Sequence, residues 1–96
     1  MSAAHTLELL QAFLAPAGVS GSEQDMAAVV RAAWQGLADE VVISPLGSVH
    51  ALLRGTSPGS RPKLMACAHL DSVGLIVTGF VGAFLRLGPA GGFDPR

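Results

Sequence analysis

Five consecutive apolar residues, Leu64-Met65-Ala66-Cys67-Ala68, run straight into His69-Leu70-Asp71. An uninterrupted apolar run of this length predicts a strand over Lys63–His69 that is buried on both faces. Such a strand needs cover above and below it. It suits an α/β arrangement.

The rest of the chain has to supply the cover. Leu7, Leu10 and Leu14, with Leu9 and Phe13 beside them, predict a short helix that ends at Pro16, whose ring clashes inside a helix. Gly18-Val19-Ser20-Gly21 reads as a loop. Ser22-Glu23-Gln24-Asp25 has the form of a capping box, with acids near the positive end of a helix. Met26, Val29, Val30, Ala33 and Leu37 then recur at helical spacing and predict a second amphipathic helix, with Trp34 packed beside the stripe. Glu40–Ser44 and Ser48–Arg54, joined by Pro45-Leu46-Gly47, predict a β-hairpin. Gly55–Pro62 is a polar connection. Gly74–Phe80 and Ala83–Leu87 predict two more strands around a tight turn at Val81-Gly82, and Gly88–Arg96 reads as turn chemistry. The expected architecture is two helices followed by about five strands, an incomplete α/β unit.

Composition bears on what this unit can do alone. Half of the 96 residues are apolar, 14% are charged, and mean hydropathy is +0.50. These values exclude a disordered segment. They are also more apolar than a small self-contained domain requires, and they fit a piece of a larger fold whose apolar faces meet a partner. A net charge of −1 without any Lys or Arg run excludes a basic nucleic-acid binder. Residues 1–44 carry five acids against Arg31, and residues 45–96 carry five bases against Asp71 and Asp94, which reads as two solvated faces of opposite sign. The single cysteine, Cys67, excludes an internal disulfide and reads as a small core residue. The start, MSAAHTLELL, lacks the basic and apolar regions of a signal peptide. Val73–Leu85, broken by three glycines, is shorter than the ~20 residues of a membrane span. A soluble, cytoplasmic protein with no membrane partner is expected.

The chemistry concentrates at Ala68-His69-Leu70-Asp71. On a strand, residues i and i+2 point to one side, so His69 and Asp71 are expected together at the strand's C-terminal edge, where α/β sheets place their sites. A neutral imidazole there can bind a metal through one nitrogen while the carboxylate fixes the ring's orientation. His-x-Asp by itself is also common as ordinary hydrogen-bonded structure. His50, among Val49, Ala51 and Leu52, reads as structural, and His5 as solvated.

Order along the chain adds weight. Gly18-Val19-Ser20-Gly21-Ser22-Glu23 precedes the second helix, and the Pro45-Leu46-Gly47-Ser48 hairpin follows it. Next come Ala68-His69-Leu70-Asp71-Ser72-Val73-Gly74 and, finally, Gly91-Gly92-Phe93-Asp94-Pro95-Arg96. This series resembles the N-terminal portion of the M42-type metallo-aminopeptidases, the glutamyl- and deblocking-aminopeptidase family, over nearly the whole chain. The M20-type peptidases share the His-x-Asp element, but the Gly-Gly-Phe-Asp-Pro-Arg tail favours M42.

The resemblance implies part of a co-catalytic two-metal peptidase domain. His69 matches the family's first metal-binding histidine. Asp71 matches the supporting acid that takes part in catalysis. The implied cofactors are two divalent ions, zinc or cobalt, and the implied substrates are peptides with free amino termini. Family members assemble from dimers up to dodecamers. The implied division is residues 1–76 in the catalytic domain and residues 77–96 opening an inserted β-rich domain. The family's other ligands and its general base have no counterpart in residues 1–96, so the chain alone is expected to be inactive. The alternative from another class is a non-catalytic chain acting only through subunit association.

Overall fold

A computed structural model of the chain describes residues 2–92. Four residues of the Gly-Gly-Phe-Asp-Pro-Arg motif, Phe93-Asp94-Pro95-Arg96, lie outside the described residues. The elements are α1 (Ala3–Leu14), α2 (Gln24–Trp34), β1 (Glu40–Ile43), β2 (Val49–Leu52), β3 (Gly74–Val81) and β4 (Phe84–Ala90).

Ser2 caps α1, its hydroxyl accepting the His5 N–H at 3.2 Å. Helix α2 begins one residue later than the sequence pattern suggests, with Glu23 at the cap and no side-chain capping bond. The Glu23 carboxylate turns back instead to accept the Gly21 N–H at 2.8 Å, so the expected capping box is replaced by a brace on the preceding loop. The helix also stops at Trp34, three residues short of Leu37, which is exposed. Trp34 is itself more than a third exposed and lines an open cleft with Leu9, Phe13 and Leu37.

Met26, Ala27 and Val30 of α2 are buried, and α2 packs against α1 and against the β1–β2 hairpin. The i, i+1 and i+4 spacing of these three puts them on one helical face, which is the centre of this half of the molecule. The hairpin is antiparallel, pairing Glu40 with Leu52 through Ile43 with Val49. Its turn needs Gly47, whose φ of +87° lies in the left-handed region. The Arg54 guanidinium reaches Glu40, and the Arg54 backbone N–H donates to Asp39 Oδ2 at 2.6 Å, closing the open end.

Strands β3 and β4 form a second, separate antiparallel pair, with the turn at Gly82-Ala83 rather than Val81-Gly82. The register shifts between Val77 and Gly79, leaving Thr78 as the bulged residue. Gly88-Pro89-Ala90, read from the sequence as turn chemistry, extends β4 and pairs with β3. Proline is accepted there because β4 has only one neighbour and keeps a free edge.

The expected strand over Lys63–His69 is not formed. Leu64 and Met65 are 98% and 84% exposed, and Cys67 is exposed rather than a core residue. A run that is apolar on both faces pairs only between two neighbouring strands, and the described residues provide none beside it. The described residues therefore form four strands in two small antiparallel sheets, rather than the expected five or so. Its radius of gyration is 17.9 Å, against about 12 Å for a compact chain of this length. Its accessible surface is 7974 Å², roughly half as much again as a compact monomer of this mass exposes. No helix among the described residues is long and apolar enough to cross a membrane.

Candidate functional site

Residues 53–73 carry no helix or strand, and their last part is fixed by a contact with a distant loop. Val19 and Ser72 form a parallel bridge, and the Ser72 N–H donates to the Gly18 carbonyl at 2.7 Å. Gly18 is buried, close to Met26 of α2. The loop Gly18–Gly21 is thus seated between the small core and the segment that carries His69 and Asp71. Its far end is held by the Ser22 N–H to Val19 carbonyl bond and by the Glu23 brace on Gly21.

Gly74 makes this docking possible. A Cβ built at Gly74 would lie 2.4 Å from Val19 Cγ1, closer than real side chains approach. Only a residue without a side chain lets the two segments meet here.

His69 and Asp71 are brought together, though not at a strand's edge. His69 Nδ1 lies 2.9 Å from the Asp71 backbone carbonyl and 3.4 Å from the carboxylate Oδ1. Both neighbours are acceptors, so Nδ1 carries the proton and donates, chiefly to the carbonyl. In a neutral ring the other nitrogen, Nε2, then keeps its lone pair, on a side chain that is 87% exposed. That is the tautomer and the orientation in which histidine binds a metal ion.

Ser20 completes the arrangement and had no assigned role in the sequence. Its hydroxyl donates to Asp71 Oδ2 at 2.7 Å across 51 residues of chain. This bond is the main reason the Asp71 carboxyl is held below the usual aspartate value, with the nearby His69 acting in the same direction. The bond favours the ionised form. Its contribution is therefore present above the ordinary aspartate pKa and is lost as pH falls through the lowered one. Ser20→Ala should move the Asp71 titration up toward the ordinary value, as followed by the carboxylate carbon shift against pH. An unchanged midpoint would remove Ser20 as the cause.

The other candidates stand apart. His5 sits on α1, 3.8 Å from Glu8 and exposed. His50 lies on β2 opposite Val42. Among the described residues, no group of three His, Cys, Asp or Glu side chains could hold a metal ion. One imidazole nitrogen with a supporting carboxylate fits a single contribution to a metal site.

No family model matches the chain. It is 38% identical over 91 residues to a protein named lysyl aminopeptidase from Pyrococcus furiosus, covering 93% of this chain and 25% of that protein. It is 31% identical over 86 residues to a putative aminopeptidase from Acetivibrio thermocellus, covering 88% of this chain and again 25% of the relative. The fold superposes on the crystal structure of a TET aminopeptidase from a marine sediment archaeon, Thaumarchaeota archaeon, with a TM-score of 0.81 and 31% identity. That match covers 96% of this chain and 25% of the other. The sequence and fold matches cover between 88% and 96% of this chain. In sequence and fold the chain is similar to these aminopeptidases, and it spans about a quarter of their length.

Proposed function

We propose that residues 1–96 are the N-terminal part of a metal-dependent aminopeptidase, with His69 as a metal ligand and Asp71 as its catalytic support. The observation that carries this reading is the pairing of His69 Nδ1 with Asp71, which leaves Nε2 exposed with its lone pair available. Two divalent ions, zinc or cobalt, would polarise the scissile carbonyl and lower the pKa of a bridging water. His69 supplies one donor to that centre, and Asp71 holds the ring and strengthens it as a donor. The remaining ligands and the general base come from a longer chain. Substrates are peptides with free amino termini, and lysyl substrates are the first to try because one relative is named for lysine. Residues 77–96 open an inserted β-rich domain. The whole protein works in the cytoplasm as a homo-oligomer, from dimers up to dodecamers, with no nucleic-acid or membrane partner.

A second reading has its own observation. Leu64, Met65, Phe80 and Phe84 are all more than three-quarters exposed, and surface of this kind associates readily. In that reading the chain acts only by joining other subunits.

The intact mass of the native protein, identified by peptides from residues 1–96, separates the two. A mass several times 9.8 kDa, together with chelator-sensitive release of amino-terminal residues, is the expected result. A native mass near 9.8 kDa with no such release would sink the enzymatic reading in favour of association.

A further inference from the structure

We propose that Ser20 is a positioning residue for the metal-ligand pair, holding the Asp71 carboxylate so that it faces His69. The inference rests on the reading of His69 as a metal ligand given above.

Each carboxylate oxygen of Asp71 has its own neighbour. Oδ2 accepts the Ser20 hydroxyl at 2.7 Å, and Oδ1 lies 3.4 Å from His69 Nδ1. The Ser20 bond anchors Oδ2 and so leaves Oδ1 turned toward the imidazole, whose Nδ1 is bonded to the Asp71 backbone carbonyl. Without the Ser20 bond, the group can rotate about its own bond, and Oδ1 need not face the imidazole. Ser20 itself is exposed, and nothing in its local sequence calls for a partner 51 residues away.

What holds it there is the docked loop. The loop is fixed before it by the Ser72 N–H to Gly18 carbonyl bond and the Val19–Ser72 bridge. After it, Glu23 braces the Gly21 N–H at 2.8 Å. These backbone contacts do not involve the Ser20 hydroxyl, so removing that hydroxyl should leave the loop in place. The loop's fixed position lets one small side chain act on a site far away in sequence. Such supporting partners of a metal-bound histidine govern its orientation and donor strength.

The experiment compares Ser20→Ala, Ser20→Thr and His69→Ala in the native protein that carries residues 1–96. The readouts are the zinc dissociation constant by chelator competition, kcat and KM on an aminoacyl anilide, and the unfolding midpoint. Ser20→Ala should weaken zinc binding or lower kcat roughly tenfold, the lower end of what supporting partners contribute. KM should stay unchanged, and the unfolding midpoint of the metal-free protein should fall by no more than the loss of one exposed hydrogen bond allows. Ser20→Thr keeps the hydroxyl and should lie within about twofold of the parent. Wild-type zinc affinity and kcat in Ser20→Ala, with zinc lost in His69→Ala, would overturn the role of Ser20 alone. Equal losses in the Ala and Thr variants with a lowered midpoint would overturn it too, by showing a structural role. Zinc binding and activity retained in His69→Ala would remove the metal-ligand reading itself, and this inference with it.

Discussion

Purified residues 1–96, supplied with zinc or cobalt, are expected to release no measurable product from lysyl or other aminoacyl anilides. A catalytic zinc takes about three ligands from protein and keeps one position for water or substrate. His69 offers one nitrogen, and Asp71 is occupied in orienting that ring. The described residues assemble no further group of donors. In the longer aminopeptidase proposed above, the same residues should be decisive. His69→Ala should lose bound metal and, with it, the metal-dependent hydrolysis. Asp71→Asn keeps the shape but removes the charge, and a reduction of about 10- to 100-fold in metal affinity or activity is expected. Initial rates and metal content, measured on the same preparations, check all three statements. Zinc-dependent turnover by residues 1–96, absent from the His69→Ala form, would contradict the first of them.

Gly74→Ala is expected to undock the Gly18–Gly21 loop. The added methyl would fall 2.4 Å from Val19 Cγ1. Valine is branched at Cβ and has few alternative rotamers, so the neighbour cannot simply swing aside. Relief requires backbone movement at the Val19–Ser72 bridge, and overpacking of this kind costs about 1–3 kcal/mol. Val19→Ala removes the obstructing atom, so the double variant Gly74→Ala/Val19→Ala should recover most of the loss. The measurement is amide hydrogen exchange at Ser72, whose N–H is protected by the Gly18 carbonyl. Protection should fall in Gly74→Ala and return in the double variant. Full protection in the single variant would mean that the approach of the two segments is looser than the contact implies. The Ser20–Asp71 bond should break along with the bridge, linking a backbone packing change to the site.

Much of the local structure was legible because local patterns were sufficient for it. Met26 and Val30 lie on the buried face that their spacing in the sequence predicts. The hairpin around Pro45-Leu46-Gly47 follows from turn residues between two short β-branched or apolar runs, and β3–β4 from the same logic at Gly82. The ends were less legible. Helix α2 stops at Trp34 although the apolar spacing continues to Leu37, because spacing alone does not mark the end of a helix. The Ser22–Asp25 capping box does not form because the helix starts one residue later, with Glu23 at the cap, and the Ser22 N–H is already bonded to the Val19 carbonyl.

Two features could not have been read locally. The apolar run Leu64–Ala68 has strand composition, but a strand exists only when paired, and its partners are not among the described residues. The Ser20–Asp71 bond spans 51 residues, and no local pattern around Ser20 points across that distance. A faint signal was present: Gly18-Val19-Ser20-Gly21-Ser22-Glu23 was part of the family resemblance without any chemistry attached to it.

Local patterning in the sequence is enough for the two helices, the two hairpins, the His69–Asp71 pair and the resemblance to aminopeptidases. Each of these depends on residues close together in the chain, or on motifs kept in order along it. The meeting of Ser20 with Asp71, the need for a bare Gly74 and the unpaired Lys63–His69 emerge only once the chain is folded. Those outcomes depend on which distant segments come into contact, and burial and backbone pairing fix that only when the chain is folded.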